Sequence, residues 1–243
     1  MSTETDAETD AESSADSTVA ASVARCVVAV AAYFGAVFAS IEGIGEVVLG
    51  ALGTTGRLAA GHLAELVEPT TTAALAAHPV VGAGFVAAPG WLTDRDLFLA
   101  WWQGEDRRPL AERGVPIGNH VFDYTRHEWF QTPLTTGRRH VAGPYVDYVC
   151  TDEYVLTATS PVLHEGRMIG LVGADTLLET FEHLMRGTFD AGAAAGVVLV
   201  NAQDRCVVAA DPLLRSGQRI DAAAYRHVVA VEGLPFRVLG DPA

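Results

Sequence analysis

Residues 122–130, FDYTRHEWF, bring an acid, a phenol, a guanidinium, an imidazole and an indole into nine positions. On a helix beginning at Arg126, the residues Arg126, Trp129 and Phe130 stand at i, i+3 and i+4 and share a face, with Tyr124 just ahead of it. A guanidinium beside an indole and a phenyl ring can hold a carboxylate between aromatic walls. The plainer alternative puts Trp129 and Phe130 in the core, with Arg126 stacked over Trp129 as a surface lid. Further along, Tyr145 and Asp147 have one residue between them, so both side chains leave the same face of a strand while Tyr148 points the other way. Asp175 closes the apolar run IGLVGAD. A carboxylate buried there is costly unless paired. Its two readings are a cap for the helix that follows and a receiver for an ammonium or amide group. A cation, aromatic walls and carboxylates together suit a small zwitterion or amine.

The elements that must carry these groups are legible from periodicity and turn residues. Thr125-Arg126-His127-Glu128 fits a capping box, which predicts a helix from Arg126 to near Gly137. Three β-rich runs follow at 140–150, 153–164 and 167–175, turning at Thr151-Asp152 and Glu165-Gly166, and then a helix at 176–187. Upstream, strands are expected at 80–88, at 96–104 and near 108–112, followed by a loop with Gly114, Pro116 and Gly118. Val19, Val23, Val27, Val30, Phe34, Val37, Ile41, Ile44, Val48 and Leu52 recur at steps of three and four, predicting a long helix over about 18–51. Gly43 and Gly45 are candidate bends, and GTTG at 53–56 is a break before a second helix that ends ahead of Pro69. The stripe serves either packing on the domain's own sheet or a dimer seam. Hairpins are expected at 196–210 and at 225–239.

Composition narrows the function. The net charge is −14, and residues 1–17 hold six acids and no base, leaving −8 on the rest. Without a basic footprint a nucleic acid partner is not expected, nor an anionic membrane surface. The acidic, aromatic-free segment 1–17 reads as a disordered tail. Its acids stand where a secretory leader would be basic. The apolar run 26–39 is about 14 residues, below the length of about 20 needed to span a bilayer, so no membrane span and a cytoplasmic location are expected. Cys26, Cys150 and Cys206 are too far apart in sequence for a metal knuckle or a disulfide framework and read as small buried hydrophobes. No nucleophile elbow, zinc-protease helix, phosphate loop or dinucleotide fingerprint is present. The eight histidines are scattered, with His120, Asp123 and His127 the one set that could approach a metal.

DYTRHEWF, together with GPYVDYVCTDEYVLTATSPVLHEGRMIGLVGADTLLETF, resembles the pocket half of Cache sensor domains of the PAS-like, PDC type. The likeness covers residues 122–182 in motif and 18–121 in layout. It implies an α+β fold in which a long N-terminal helix packs on a PAS-like antiparallel sheet, with a C-terminal β-rich extension that resembles a truncated second lobe. The division expected is a tail at 1–17, a sensor domain at 18–187 and an extension at 188–243. The resemblance implies a noncatalytic receptor for an amino acid, amine or other small polar metabolite. Its ligand-binding residues would be Tyr124, Arg126, Trp129, Phe130, Tyr145, Asp147 and Asp175, with no cofactor and no metal. In the amino-acid-binding members an Arg stands two before the Trp and a Tyr follows it; here Arg126 stands three before Trp129 and Phe130 follows. Without an output domain of its own, the chain would act in trans on a separate regulator or transporter, as a homodimer through the N-terminal helix. The alternatives are an enzyme on the same scaffold using His127, Asp147 or Asp175, and an interaction scaffold with a vestigial pocket.

Overall fold

The computed structural model describes residues 3–53, 56–110, 123–148, 152–192 and 195–242, with side chains from Ser14 onward. The loop with Gly114, Pro116, Gly118 and His120 lies outside the described residues, as does Cys150. The chain divides into two compact units, Phe34–Thr180 and Met1–Tyr33 with Phe181–Ala243. The sequence placed that division at 187/188 and set 1–17 apart.

The Phe34–Thr180 unit is built on six antiparallel strands. These are β1 (Gly82–Ala87), β2 (Leu99–Gln103), β3 (Arg108–Pro109), β4 (His140–Asp147), β5 (Glu153–His164) and β6 (Arg167–Leu177). Their order in the sheet is β3-β2-β1-β6-β5-β4. The expected β4–β5–β6 meander is present, and β1 completes the middle by pairing with β6. Residues directly opposite each other in antiparallel strands project to the same face. The register therefore sorts the sheet into two surfaces. Ala83, Phe85, Ala100, Trp102, Ala158, Val172 and Ala174 fall on one; Val86, Leu99, Trp101, Thr157, Thr159, Leu171 and Asp175 fall on the other.

Helices cover the first surface. Helix α1 runs from Thr3 to Ala51, so it continues back through the acidic segment that composition reads as disordered. It does not break at Gly43 or Gly45. A Cβ on Gly45 would come 2.9 Å from Val162 Cγ2, so this glycine serves close approach of helix to sheet. Nearby, Ser160 Oγ donates to Glu42 Oε1 at 3.0 Å, and the Arg139 guanidinium sits over the Phe38 ring. Helix α2 (Ala60–Ala77) passes through Pro69 instead of ending before it. A proline inside a helix costs about 3 kcal/mol. Burial of Leu63, Val67, Thr71, Ala74 and Leu75, on the helix that packs against β1 and β2, offsets that cost.

In the other unit α4 (Leu178–Asp190) and the first part of α1 accompany a four-stranded antiparallel sheet of order β8-β7-β10-β9. Its strands are β7 (Val198–Asn201), β8 (Cys206–Ala209), β9 (Tyr225–Ala230) and β10 (Phe236–Pro242). These are the two expected hairpins. Val198, Val200, Cys206, Ile220 and Leu239 form its core. Tyr33 meets Phe181 edge to face, and a Cβ on Gly240 would come 2.6 Å from Val23 Cγ2.

Among the described residues, one helical stretch, Ser14–Ala51 of α1, is long and apolar enough to cross a membrane by length and composition. The sequence expectation counted only the run 26–39. The unbroken helix removes that length limit.

Candidate ligand-binding site

The second face of the six-stranded sheet encloses a cavity of about 120 Å³. That is about ten times what one water needs, enough for a small metabolite. Strand alternation supplies the floor: Val86 from β1, Leu99 and Trp101 from β2, Leu171 and Asp175 from β6, Thr157 and Thr159 from β5. Small residues make the room. The Trp101 indole lies against Gly82, where a Cβ would stand 2.6 Å from its Nε1, and its Cη2 lies 3.4 Å from the Cβ position of Gly173.

Strand β4 brings Tyr145 and Asp147 to this floor through an irregularity. Ala142 pairs with Thr157 but Tyr145 pairs with Val155, so three steps on β4 match two on β5. The extra residue falls at Gly143-Pro144, a cis peptide with Gly143 at φ +117°. The bulge keeps His140, Ala142, Tyr145 and Asp147 on one face although 142 and 145 differ in parity. Val146 and Tyr148 line the cavity at this end of the strand, and Tyr148 is 80% exposed.

The wall opposite the floor is the segment the sequence singled out, folded differently from expectation. The capping box does not form. Asp123 caps a 3-10 turn, Tyr124–Arg126, by accepting from Thr125 N at 3.0 Å and from its hydroxyl. His127 is extended at φ −77°, ψ 145°, and helix α3 starts only at Glu128. It ends at Thr136 with Gly137 in the left-handed region, as expected. Because His127 breaks the helix, Arg126, Trp129 and Phe130 do not share a helical face. Trp129 lines the cavity, with His127 beside it at 5.6 Å between ring centroids. Thr159 Oγ1 ties α3 to the floor by donating to the Trp129 carbonyl at 2.9 Å.

Three of the expected residues point elsewhere. Arg126 is 89% exposed and its Nε pairs with Asp123 at 3.6 Å, away from the cavity lining. Tyr124 is buried; its hydroxyl donates to the Ala87 carbonyl at 2.7 Å and accepts from Phe98 N at 3.1 Å. It pins the turn to the sheet, and burial pushes its phenol up to about 12. Phe130 is core, packed with Tyr124, Trp129 and Ala142. Four of the expected residues meet at the cavity: Trp129, Tyr145, Asp147 and Asp175. Sequence reasoning missed Trp101, Thr157 and Thr159. The alternation of TAT in β5 and the small GAG of β1 facing WW of β2 are the signals that could have found them.

Asp175 is not a helix cap. It lies within β6, paired with Gly82 and Thr157, and α4 begins at Leu178. The carboxyl is 6% exposed and receives Thr157 Oγ1 at 2.6 Å. Tyr145 Oη lies 2.7 Å from the same threonine oxygen. Since a hydroxyl has one hydrogen, Thr157 giving its own to Asp175 leaves Tyr145 as donor to Thr157. Burial raises the Asp175 carboxyl to about 7, partly opposed by the Thr157 bond and reinforced by the Asp147 charge. Burial also lowers the His127 imidazole, against the pull of Asp147 and Asp123. The cavity is therefore apolar and aromatic over most of its wall, with two carboxylates at one end. Among the described residues no group of three or more His, Cys, Asp or Glu is arranged to hold a metal.

Residues 70–183 match the family of methyl-accepting chemotaxis protein-like first PDC sensor domains. This stretch is similar to PDC sensor domains. The family is noncatalytic and senses small molecules for chemoreceptors. The cavity lies wholly within the matched residues. Among solved structures, methyl-accepting chemotaxis protein X is 17% identical, with 96% of this chain and 100% of that one covered at a TM-score of 0.67. The sensory domain of the Campylobacter jejuni chemoreceptor Tlp3 (CcmL) with isoleucine bound is 14% identical, covering 96% and 94% at 0.66. The ligand-binding domain of the Pseudomonas fluorescens chemoreceptor CtaA with L-valine is 15% identical, covering 95% and 98% at 0.63. No curated protein matches the sequence. The α+β fold with a long N-terminal helix is the fold of these sensor domains.

Proposed function

We infer that this PDC domain senses a small metabolite carrying an ammonium group, an amine or an amino acid, held in the cavity between β6, β4 and α3. The observation that carries the reading is the pair Asp147 and Asp175 at one end of an otherwise apolar, aromatic-walled cavity. The carboxylates receive the ammonium, Trp129 and Trp101 wall the ligand body, and Tyr145 with Thr157 hold Asp175 in place. Isoleucine and L-valine in the Campylobacter and Pseudomonas domains support a ligand of this size and kind. Calorimetric titration of the chain with isobutylamine, L-valine, L-isoleucine, isobutyrate and adenine tests it. Binding of the ammonium-bearing compounds, lost in Asp175→Ala, is the expected result. Equal silence across the panel overturns the reading.

The output reading follows the sequence: a dimer through α1 that acts in trans on a separate regulator or transporter, from the cytoplasm. Light scattering of the purified chain and fractionation of cells expressing it check both points. A monomer overturns the first. Recovery with membranes, which the apolar stretch of α1 makes the rival outcome, overturns the second.

A further inference from the structure

Asp175 sits 6% exposed on the cavity floor with one side-chain hydrogen bond, from Thr157 to Oδ1. Its second oxygen, Oδ2, has no hydrogen-bond partner among the described residues. A buried carboxylate in that position either takes a proton or waits for a counter-charge. The groups that face it decide which. From β4 come Tyr145 and Asp147, beyond the strand Tyr148, and from the turn ahead of α3 His127. Strands β1, β2 and β5 offer only Val86, Leu99, Trp101 and the two threonines to the cavity. Among the described residues the lining thus holds two acids and no Arg or Lys. Arg126, which the sequence offers as the grip for a ligand's carboxylate, is paired with Asp123 at the surface.

Resting on the ligand reading above, we propose that the cavity exchanges a proton for its ligand: a monoamine cation enters as the proton on Asp175 leaves for solvent. The O–H bond of the Asp175 carboxyl breaks, the proton passes to buffer, and the ammonium takes its place against Oδ2. The net charge in the cavity is the same before and after, so the exchange itself buries no additional charge. The hydroxyls of Thr157 and Tyr145 then point their hydrogens toward the carboxylate, stabilising the ionised form that the cation requires. The carboxyl raised to about 7 puts the exchange within the neutral range. A zwitterion brings a carboxylate, and the described lining holds no Arg or Lys to pair it, so a monoamine is preferred over the amino acid with the same side chain.

Isobutylamine, L-valine and isobutyrate are the probes, titrated calorimetrically at pH 6, 7 and 8 in phosphate and in HEPES, which differ in ionisation heat. An alkylamine stays protonated across that range, as lysine does. The expected result is isobutylamine affinity rising about tenfold from pH 6 to 8, with a buffer-dependent heat that reports the released proton. Asp175→Asn, checked for folding by circular dichroism, flattens both; if that variant does not fold, the pH and buffer dependence of the unmodified chain decides alone. Binding of isobutylamine or L-valine with pH-independent affinity and buffer-independent heat overturns the exchange and leaves the ligand reading standing. Tighter binding of L-valine or isobutyrate than of isobutylamine overturns the choice of a monoamine. No heat from any probe overturns the ligand reading, and the exchange with it.

Discussion

Along β6, Val172 and Ala174 face the helices while Leu171, Gly173 and Asp175 face the cavity, and the same division runs through every strand paired to it. The helix face is Ala, Val and Phe, closed by α1 and α2, and its polar Ser160 is matched by Glu42. The cavity face mixes glycine, threonine, tryptophan and aspartate over the same strands. One surface is selected for density and the other for space and charge. Alternation with a period of two lets a single strand meet both demands.

Moving a carboxylate from one face to the other breaks this contrast most severely. Ala174→Asp places an unpaired acid on the closed face, where Ala174 is buried, and is expected to cost about 3–5 kcal/mol. Urea denaturation at pH 8 reads that loss directly. Gly84→Ala comes next. Its Cβ would stand 2.1 Å from the Ala100 carbonyl oxygen, a backbone atom that cannot swing away. A loss of about 3 kcal/mol is expected, and a melting curve unchanged from the parent would refute the claim of close approach.

Asp175→Asn sharpens the contrast from the other side. The native carboxyl is raised to about 7 from its ordinary 3.8. Between those values the folded chain holds a proton that the unfolded chain releases. The ligand-free protein therefore loses stability as pH rises from about 4 to 7 and levels off above, and the whole effect is at most about 4 kcal/mol. The asparagine variant removes that slope and is more stable than the parent at pH 8. Equal slopes in pH-dependent denaturation would show that Asp175 does not hold the proton. Tyr145→Phe removes the hydroxyl that supports Thr157 and is expected to weaken ligand binding by about 0.5–1.5 kcal/mol, a few-fold in Kd. Arg126→Ala closes the series: a solvent-exposed pair at 3.6 Å predicts no resolvable change in stability and no change in affinity. A tenfold loss of affinity there would return Arg126 to the site.

What the sequence revealed and what it hid follow the same physics. Strands bounded by turn residues were legible because alternation and turn chemistry are local, which is why the meander, both C-terminal hairpins and the stop at Gly137 could be placed. Tyr145 and Asp147 were assigned to one face correctly because both lie beyond the bulge. The start of α3 was misread: Asp123 out-competes Thr125 as a cap, and the extended His127 moves the helix past Arg126. Pro69 reads as a stop in a local window because the packing of α2 on β1 and β2 is not visible there. The sequence leaves Asp175 open between a cap and a receiver of an ammonium group because its place depends on pairing with Gly82, more than 90 residues earlier. Trp101 went unassigned for the same reason, since its room comes from glycines on two other strands.

The bulge at Gly143-Pro144 makes the polar end of the cavity a matter of counting. Upstream of it, even-numbered residues of β4 project to the floor's side of the sheet; downstream, odd-numbered ones do. Its single surplus residue acts as a phase shift in the strand's alternation. Deleting that surplus residue would restore regular pairing and leave Tyr145 opposite Val155 and Asp147 opposite Glu153, still on the floor's side of the sheet. Deleting Val146 instead, with the bulge kept, would put Tyr148 opposite Glu153 in the place of Asp147. One acid would leave the cavity floor without any substitution in it, and position-by-position comparison of chains of this architecture holds only when the bulge is aligned first.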